Sequence, residues 1–443
     1  MNSRITSWLW LMALVLTGCG SEPQPRPGAT QTRPPWSTGF WFWNGSATTV
    51  EAGTVIDALF VQAGTLTYNA ASPELPDLLP PAREYWLVFR YEGGGVPDAM
   101  SVPALLGSYE RGAQTLRSQN AKVAGMQLDI DAPTGSLAAY GRYLKAVRKG
   151  LPEGDQLSIT ALLDWFRPGT DVARTLDAVD EFVPQFYDTD GPSDELTQIG
   201  APVDARRWGP LLERFGKRYR VGISCFGRVF EGGAKLRVMR GSSLSPLAAA
   251  STPELRLTRE TTTAGEALLR YEVTAPVRLG WHQFQPGESV LFAMPARASI
   301  SVAYAEARRM GPHCAGVLFF RWPGSDEGLT LPPQTVLRYA GLAAGTKAEQ
   351  VALFAEPGDC AVVACAELLV SNLDPGTETA ESYVVESSVP LEYFIPQEGV
   401  PVRTIGPSRL ELRMPAYSGA TVLQLGTVVT ARAATFRLVE RKR

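Results

Sequence analysis

The stretch Val123-Ala-Gly-Met-Gln-Leu-Asp-Ile-Asp-Ala-Pro133 constrains the fold more than any other part of this chain. Its apolar run predicts a buried strand that ends in two carboxylates, Asp129 and Asp131. A helical pattern follows, with Leu137, Tyr140, Leu144, Val147 and Leu151 recurring on one face. A strand that delivers acids at its C-terminal end and then returns through an amphipathic helix is the repeating unit of a (β/α)8 barrel, whose active site lies at that end.

Eight strand-like runs support this reading, at 40–44, 58–62, 85–91, 125–131, 156–162, 181–187, 219–226 and 316–322. They are apolar throughout rather than alternating, as expected of a parallel sheet covered by helices. Helical patterns lie between most of them, at 102–116, 137–151, 172–179, 205–215, 300–310 and 335–342. The expected fold is therefore α/β: a (β/α)8 TIM barrel over residues 37–345. One interruption, 229–298, is made of short β-rich pieces between Gly, Pro, Ser and Thr. It reads as an insertion in the seventh βα connection, on the catalytic side of the barrel. From 346 to 443 helical periodicity stops and short strands predict an all-β, sandwich-like domain.

The strand ends supply the candidate chemistry. Strand one leads to Trp43 and Asn44, strand three to Arg90 and Glu92, and strand four to Asp129 and Asp131. Strand five leads to Asp164 and Trp165, strand six to Gln185, Tyr187 and Asp188, and strand eight to Phe320 and Trp322. Aromatic faces stack on the C–H faces of sugar rings, and carboxylates accept hydroxyl hydrogen bonds, so this mixture fits a saccharide. Asp131 is the candidate acid, Asp129 or Asp188 the stabilising carboxylate, and Tyr187 the residue that orients substrate. Trp43, Arg90, Trp165, Gln185, Phe320 and Trp322 are the candidate binding residues. Each has a plainer alternative: Asp129 as an internal carboxylate tied to Arg90 or to backbone, Tyr187 as a core tyrosine, Trp165 and Trp322 as rim aromatics packed under loops.

Strand four resembles the D-x-D-x-E strand of family 18 chitinases, with Asp129 and Asp131 on the two aspartates and Pro133 at the position of the catalytic glutamate. The run Gln185-Phe-Tyr-Asp188 resembles the sixth strand of the plant-type enzymes, which places Tyr187 beside the substrate's acetamido group. Gly316-Val-Leu-Phe-Phe320 is similar to their eighth strand, with Phe320 where a tryptophan is usual. The resemblance implies a glycan site, while Pro133 removes the family's own acid. The chain as a whole resembles a family of bacterial lipoproteins of unknown function with a divergent glycosidase-like barrel.

The N-terminus carries Arg4 and then an apolar run at 8–16, shaped like a secretory signal. It ends in Leu16-Thr-Gly-Cys19, which resembles a bacterial lipobox with Cys19 as the lipid-bearing residue. Residues 1–19 are thus expected to be a lipoprotein signal and 20–36 a linker rich in Pro, Gln, Thr and Gly. With Gly20 after the cysteine, the resemblance implies an outer-membrane anchor facing the periplasm. The expected partners are a glycan, such as peptidoglycan or an envelope polysaccharide, and a membrane reached through the lipid.

Other classes find little support. Net charge is −3 from 42 basic and 45 acidic residues, without a basic stripe interleaved with aromatics, so nucleic acid is not an expected partner. Two histidines in weak contexts argue against a Ser-His-Asp system and against zinc. The glycine fingerprint of dinucleotide binding is missing, and no cofactor or metal is expected. Four cysteines remain beside Cys19. Cys225 reads as a core residue, and Cys360 and Cys365 either bridge across a local turn or face opposite ways on one strand.

Overall fold

The computed structural model describes residues 34–43, 56–67, 71–73, 75–76, 79–187, 202–232, 237–239, 245–263, 266–279, 282–323, 329–343, 352–358, 360, 364–371, 381–397, 399–414 and 422–442. Eight parallel strands form the barrel: β1 (Ser37–Phe42), β2 (Ile56–Leu66), β3 (Ala82–Tyr91), β4 (Val123–Asp129), β5 (Gln156–Ala161), β6 (Glu181–Pro184), β7 (Arg218–Ser224) and β8 (Cys314–Trp322). Their order, β1-β8-β7-β6-β5-β4-β3-β2, closes because β2 also pairs with β1, with Gly39 opposite Ala58 on one side and Leu318 on the other. This is the expected (β/α)8 architecture. Six helices cover it: α1 (Val102–Ser118), α2 (Leu137–Gly150), α3 (Val172–Leu176), α4 (Ala205–Glu213), α5 (Arg297–Arg309) and α6 (Pro333–Tyr339). Among the described residues no helix separates β1 from β2 or β2 from β3. A short antiparallel strand, Ala71–Pro73, pairs with the end of β2 instead.

Alternation along each strand divides the apolar side chains between two cores. Phe40, Leu59, Leu87, Phe89, Met126, Leu128 and Phe319 point outward and pack with Leu105, Tyr109, Leu144 and Val147 of the helices. Trp41, Phe60, Trp86, Val88, Val183, Tyr187 and Leu318 fill the interior. Both faces of the strands are therefore dry, and each fully buried aromatic contributes about 1.5–3 kcal/mol. This is why the strands read as unbroken apolar runs.

The N-terminal end of the barrel is closed by ionic contacts. Arg220 is fully buried, with Nη2 3.0 Å from Glu84 and Nε 3.4 Å from Glu181, and its guanidinium lies over Phe60 and Trp86. Arg218 reaches Glu181 at 2.9 Å and Lys122 reaches Glu84 at 3.7 Å. Any chemistry that needs access to the interior belongs to the opposite end.

Between β7 and α5 the chain forms a five-stranded antiparallel sheet, ordered Arg237–Met239, Arg228–Gly232, Ser289–Pro295, Glu266–Val273 and Leu255–Thr263. Val229, Leu269, Tyr271, Val290 and Phe292 give it a core of its own. Because it leaves the barrel from the C-terminal end of β7, it stands on the side of the mouth. Two four-stranded antiparallel sheets follow the barrel: Ala352–Pro357, Cys365–Ser371, Val422–Thr430 and Leu391–Pro396 in one, Val402–Gly406, Arg409–Met414, Glu381–Ser387 and Phe436–Lys442 in the other. Leu368, Val370, Tyr383, Val385, Leu410, Leu412 and Leu425 share one core between them. Cys360 is disulfide-bonded to Cys365, Cα atoms 6.2 Å apart. Cys365 opens a strand while Cys360 lies in the loop before it, so the two are not held on opposite faces of one strand. Cys225 and Cys314 are buried thiols.

Candidate active site at the barrel mouth

Strand β4 sends Met126 and Leu128 to the helices, and Gln127 and Asp129 into the barrel. Gln127 is fully buried. It accepts the Trp41 indole N–H at 2.7 Å and donates to Ser158 Oγ at 3.1 Å. This fills the interior one layer below Asp129. The Asp129 carboxylate is surrounded by donors: Thr160 Oγ1 donates to Oδ1 at 2.8 Å, Gln185 Nε2 approaches Oδ1 at 3.5 Å, and Arg90 Nη1 lies 3.6 Å from Oδ2. Asp129 thus joins the ends of four adjacent strands, β3 to β6. This geometry is that of the plainer reading, an internal carboxylate tied to Arg90.

An aromatic wall stands beside it. Arg90 lies 5.0 Å over the Trp43 ring, Trp43 meets Phe320 edge-on at 5.3 Å, and Phe320 stacks on Tyr187 at 4.3 Å with 8° between the planes. Trp41 closes the underside, edge-on to both Tyr187 and Phe320. Gly222 on β7 makes this packing possible. A Cβ there would stand 2.9 Å from the Tyr187 ring, 3.0 Å from the Pro184 carbonyl oxygen and 3.2 Å from Trp41. Trp43 and Phe320 are only partly buried, whereas Tyr187 is 6% exposed, so the first two offer the accessible aromatic surface. Arg228, the first residue of the inserted sheet, donates to the Tyr187 carbonyl at 3.4 Å and brings the insertion to the rim.

Asp131 lies beyond the end of β4 and is exposed. Tyr140 of α2 registers it electrostatically: complete burial pushes the phenol well above its ordinary range, and the negative charges of Asp129 and Asp131 add to that rise. Pro133 is exposed and heads a short 3-10 turn, Thr134–Ser136. Its two neighbours are both held by the turn after β5. Ala132 accepts the Trp165 indole N–H at 2.9 Å, and Thr134 Oγ1 donates to the Asp164 carboxylate.

Two expected binding residues are corrected. Trp165 is fully buried, edge-on to Tyr140, with its N–H used by Ala132. Trp322 is also fully buried, packed on Phe40 and Phe42 on the helix side. Neither has a face to offer a sugar. The mouth brings together Trp43, Arg90, Asp129, Gln185, Tyr187 and Phe320, while Asp131 lies exposed past the end of β4. Asp188, Asn44 and Cys19 lie outside the described residues. Gln127 and Thr160 are not among the site residues expected from the sequence. The two-residue alternation from Asp129 back to Gln127 was the signal that could have found at least the glutamine.

Among the described residues, no group of three or more His, Cys, Asp or Glu side chains is placed to hold a metal ion, and no helix is long and apolar enough to cross a membrane. A cavity of about 350 Å³ lies at the other end of the barrel, lined by Lys145, Arg148, Lys149, Asp180 and Lys217 among others. Arg148 is paired there with Asp180, and Lys217 donates to the Val179 carbonyl. The carboxylates and aromatics converge at the mouth, which is therefore the candidate site.

Fold and mouth together define a TIM-barrel protein with an aromatic and carboxylate-lined opening. Residues 98–276 match the family model described as a domain of unknown function, DUF3142. No curated protein matches the chain. Among solved structures it is similar to the spore cortex-lytic enzyme SleL of Bacillus cereus, at 14% identity over 70% of this chain and 75% of that one, TM-score 0.43. It is also similar to a chitinase from Chromobacterium violaceum (11%, 69% and 98%, TM-score 0.44) and to the class V chitinase of Nicotiana tobaccum (12%, 64% and 93%, TM-score 0.42). The barrel assignment rests on the closed strand order itself.

Proposed function

We propose that the barrel mouth recognises a glycan and hydrolyses it through carboxylate chemistry, and that the chain is a lipoprotein of the bacterial envelope. The observation that carries the glycan reading is the Trp43–Phe320–Tyr187 wall set against Arg90 and Asp129. Half-exposed rings give a sugar an apolar face to stack on, and the charged groups beside them give its hydroxyls partners. Asp129, engaged as an acceptor by Thr160, Gln185 and Arg90, holds the strand ends and the local negative charge. Asp131, exposed past the strand end, is the carboxylate that reaches a bound ring or an attacking water.

Pro133 favours one alternative: a barrel that binds without turnover, as a scaffold for a glycan or an envelope protein. Incubating the protein with a library of envelope glycans, with binding and product release read together, separates the two. Release of shorter sugars supports hydrolysis, binding alone supports the scaffold, and the absence of both eliminates the glycan reading. For the anchor, which rests on Leu16-Thr-Gly-Cys19, Cys19→Ser is expected to move the protein out of the membrane fraction. Identical fractionation of both forms, with no lipid label on the wild type, rejects it.

A further inference from the structure

The family resemblance puts a proline where the proton-donating glutamate would stand, and the structure holds another carboxylate, Asp164, against the next residue, Thr134. Pro133 is bracketed by two contacts from the same short turn, Leu163–Phe166. Trp165 Nε1 is tied to the carbonyl of residue 132, and the Asp164 carboxylate accepts the hydroxyl of Thr134. Trp165 is itself locked by full burial and by its edge contact with Tyr140. The Asp164 side chain is therefore held beside the segment 132–134 across a sequence separation of 30. It is partly buried and makes no helix-capping hydrogen bond.

We propose that Asp164 supplies the acid that Pro133 lacks, an inference that rests on the hydrolytic reading above. Protonated Asp164 gives its proton to the glycosidic oxygen as the C1–O bond breaks, and the bonding electron pair leaves with that oxygen. Water adds to C1 and passes its proton to the Asp131 carboxylate. Exchange with solvent then returns a proton to Asp164 and removes one from Asp131. Asp131 moves from the expected role of acid to that of base. Thr134 is a positioning residue that fixes the Asp164 carboxyl.

The test uses the full chain, a β-1,4-linked N-acetylglucosamine tetrasaccharide, and the dinitrophenyl glycoside of the same sugar, whose leaving group departs without protonation. Asp164→Asn is expected to lower kcat/KM on the tetrasaccharide by about 10²–10⁴-fold and to lose far less on the dinitrophenyl glycoside. Thr134→Val is expected to show the same asymmetry in weaker form. Equal losses on both substrates mean that Asp164 only supports the turn, and the proposal is then overturned. So does an active wild type whose tetrasaccharide rate survives Asp164→Asn, which leaves the hydrolytic reading standing. A wild type that cleaves neither substrate overturns the inference for this sugar, while product release in the envelope-glycan screen decides the hydrolytic reading on which it rests.

Discussion

Arg90 and Asp129 occupy paired positions on neighbouring strands of the barrel, and their side chains meet at 3.6 Å just below the mouth. The aspartate is 7% exposed, so its charge sits largely out of water, with Arg90, Thr160 and Gln185 among the groups that compensate it. Removing the cation while leaving the buried carboxylate is the costly direction. Arg90→Met is expected to lower the stability of the protein by about 1–3 kcal/mol, while Asp129→Asn, which keeps shape and acceptor capacity on one atom, costs less. Urea denaturation reads both, and a larger loss for Asp129→Asn than for Arg90→Met would contradict this account.

Trp165 is expected to act on stability rather than on ligand affinity. Trp165→Phe removes the N–H that holds Ala132 and leaves unfilled space against Tyr140. A loss of about 1–3 kcal/mol is expected from the hydrogen bond and the packing together. Should Trp165→Phe denature like the wild type, the staple between the two turns carries no energy.

The N-terminal end of the barrel makes stability depend on acid. Burial by itself raises the Glu84 carboxyl, but the neighbouring Arg220, the Trp86 N–H and Lys122 outweigh it and hold the group below its ordinary value. A carboxyl depressed in the folded state stabilises the fold above its unfolded pKa, and that contribution is lost as pH falls through the lower folded value. Glu84→Gln has no such proton to bind. Its denaturation midpoint is expected to fall less steeply than that of the wild type below about pH 4.3, the usual range of a free glutamate. Parallel acid limbs for the two proteins would remove Glu84 from the titration.

The cysteines separate by chemistry. In protein denatured without reductant, an alkylating reagent is expected to label Cys225 and Cys314 and to spare Cys360 and Cys365 until the disulfide is reduced. Peptide mapping by mass spectrometry checks this, and labelling of Cys360 before reduction excludes the pairing. Breaking so short a loop is expected to cost about 2 kcal/mol.

The barrel is legible in the sequence because its strands are buried on both faces and its helices carry a 3.6-residue apolar stripe. All eight strand-like runs overlap the observed strands, and the helical patterns fall on α1 to α6. Trp322 shows where such reading stops. By simple alternation it shares a face with Phe320, but Phe40 pairs with Phe319 while Phe42 pairs with Trp322. One additional residue is accommodated in β8, and Trp322 emerges toward the helices. Trp165 departs from expectation for a related reason, since its place near the end of a strand does not say which way the following turn folds.

The sequence by itself determined the period of each element, hence the α/β class, the parallel barrel, the inserted sheet and the strand ends from which site residues come. Those properties are local, because they depend on side-chain spacing of two or 3.6 residues. Only the tertiary structure decided which strand-end residues meet. Asp129 became a donor-bound carboxylate through Thr160, Gln185 and Arg90, which arrive on three different strands. Asp164 came to the flank of Pro133 through one hydroxyl 30 residues away. Contacts of that range are set by barrel closure and by the packing of turns over the strand ends, and no local pattern encodes them.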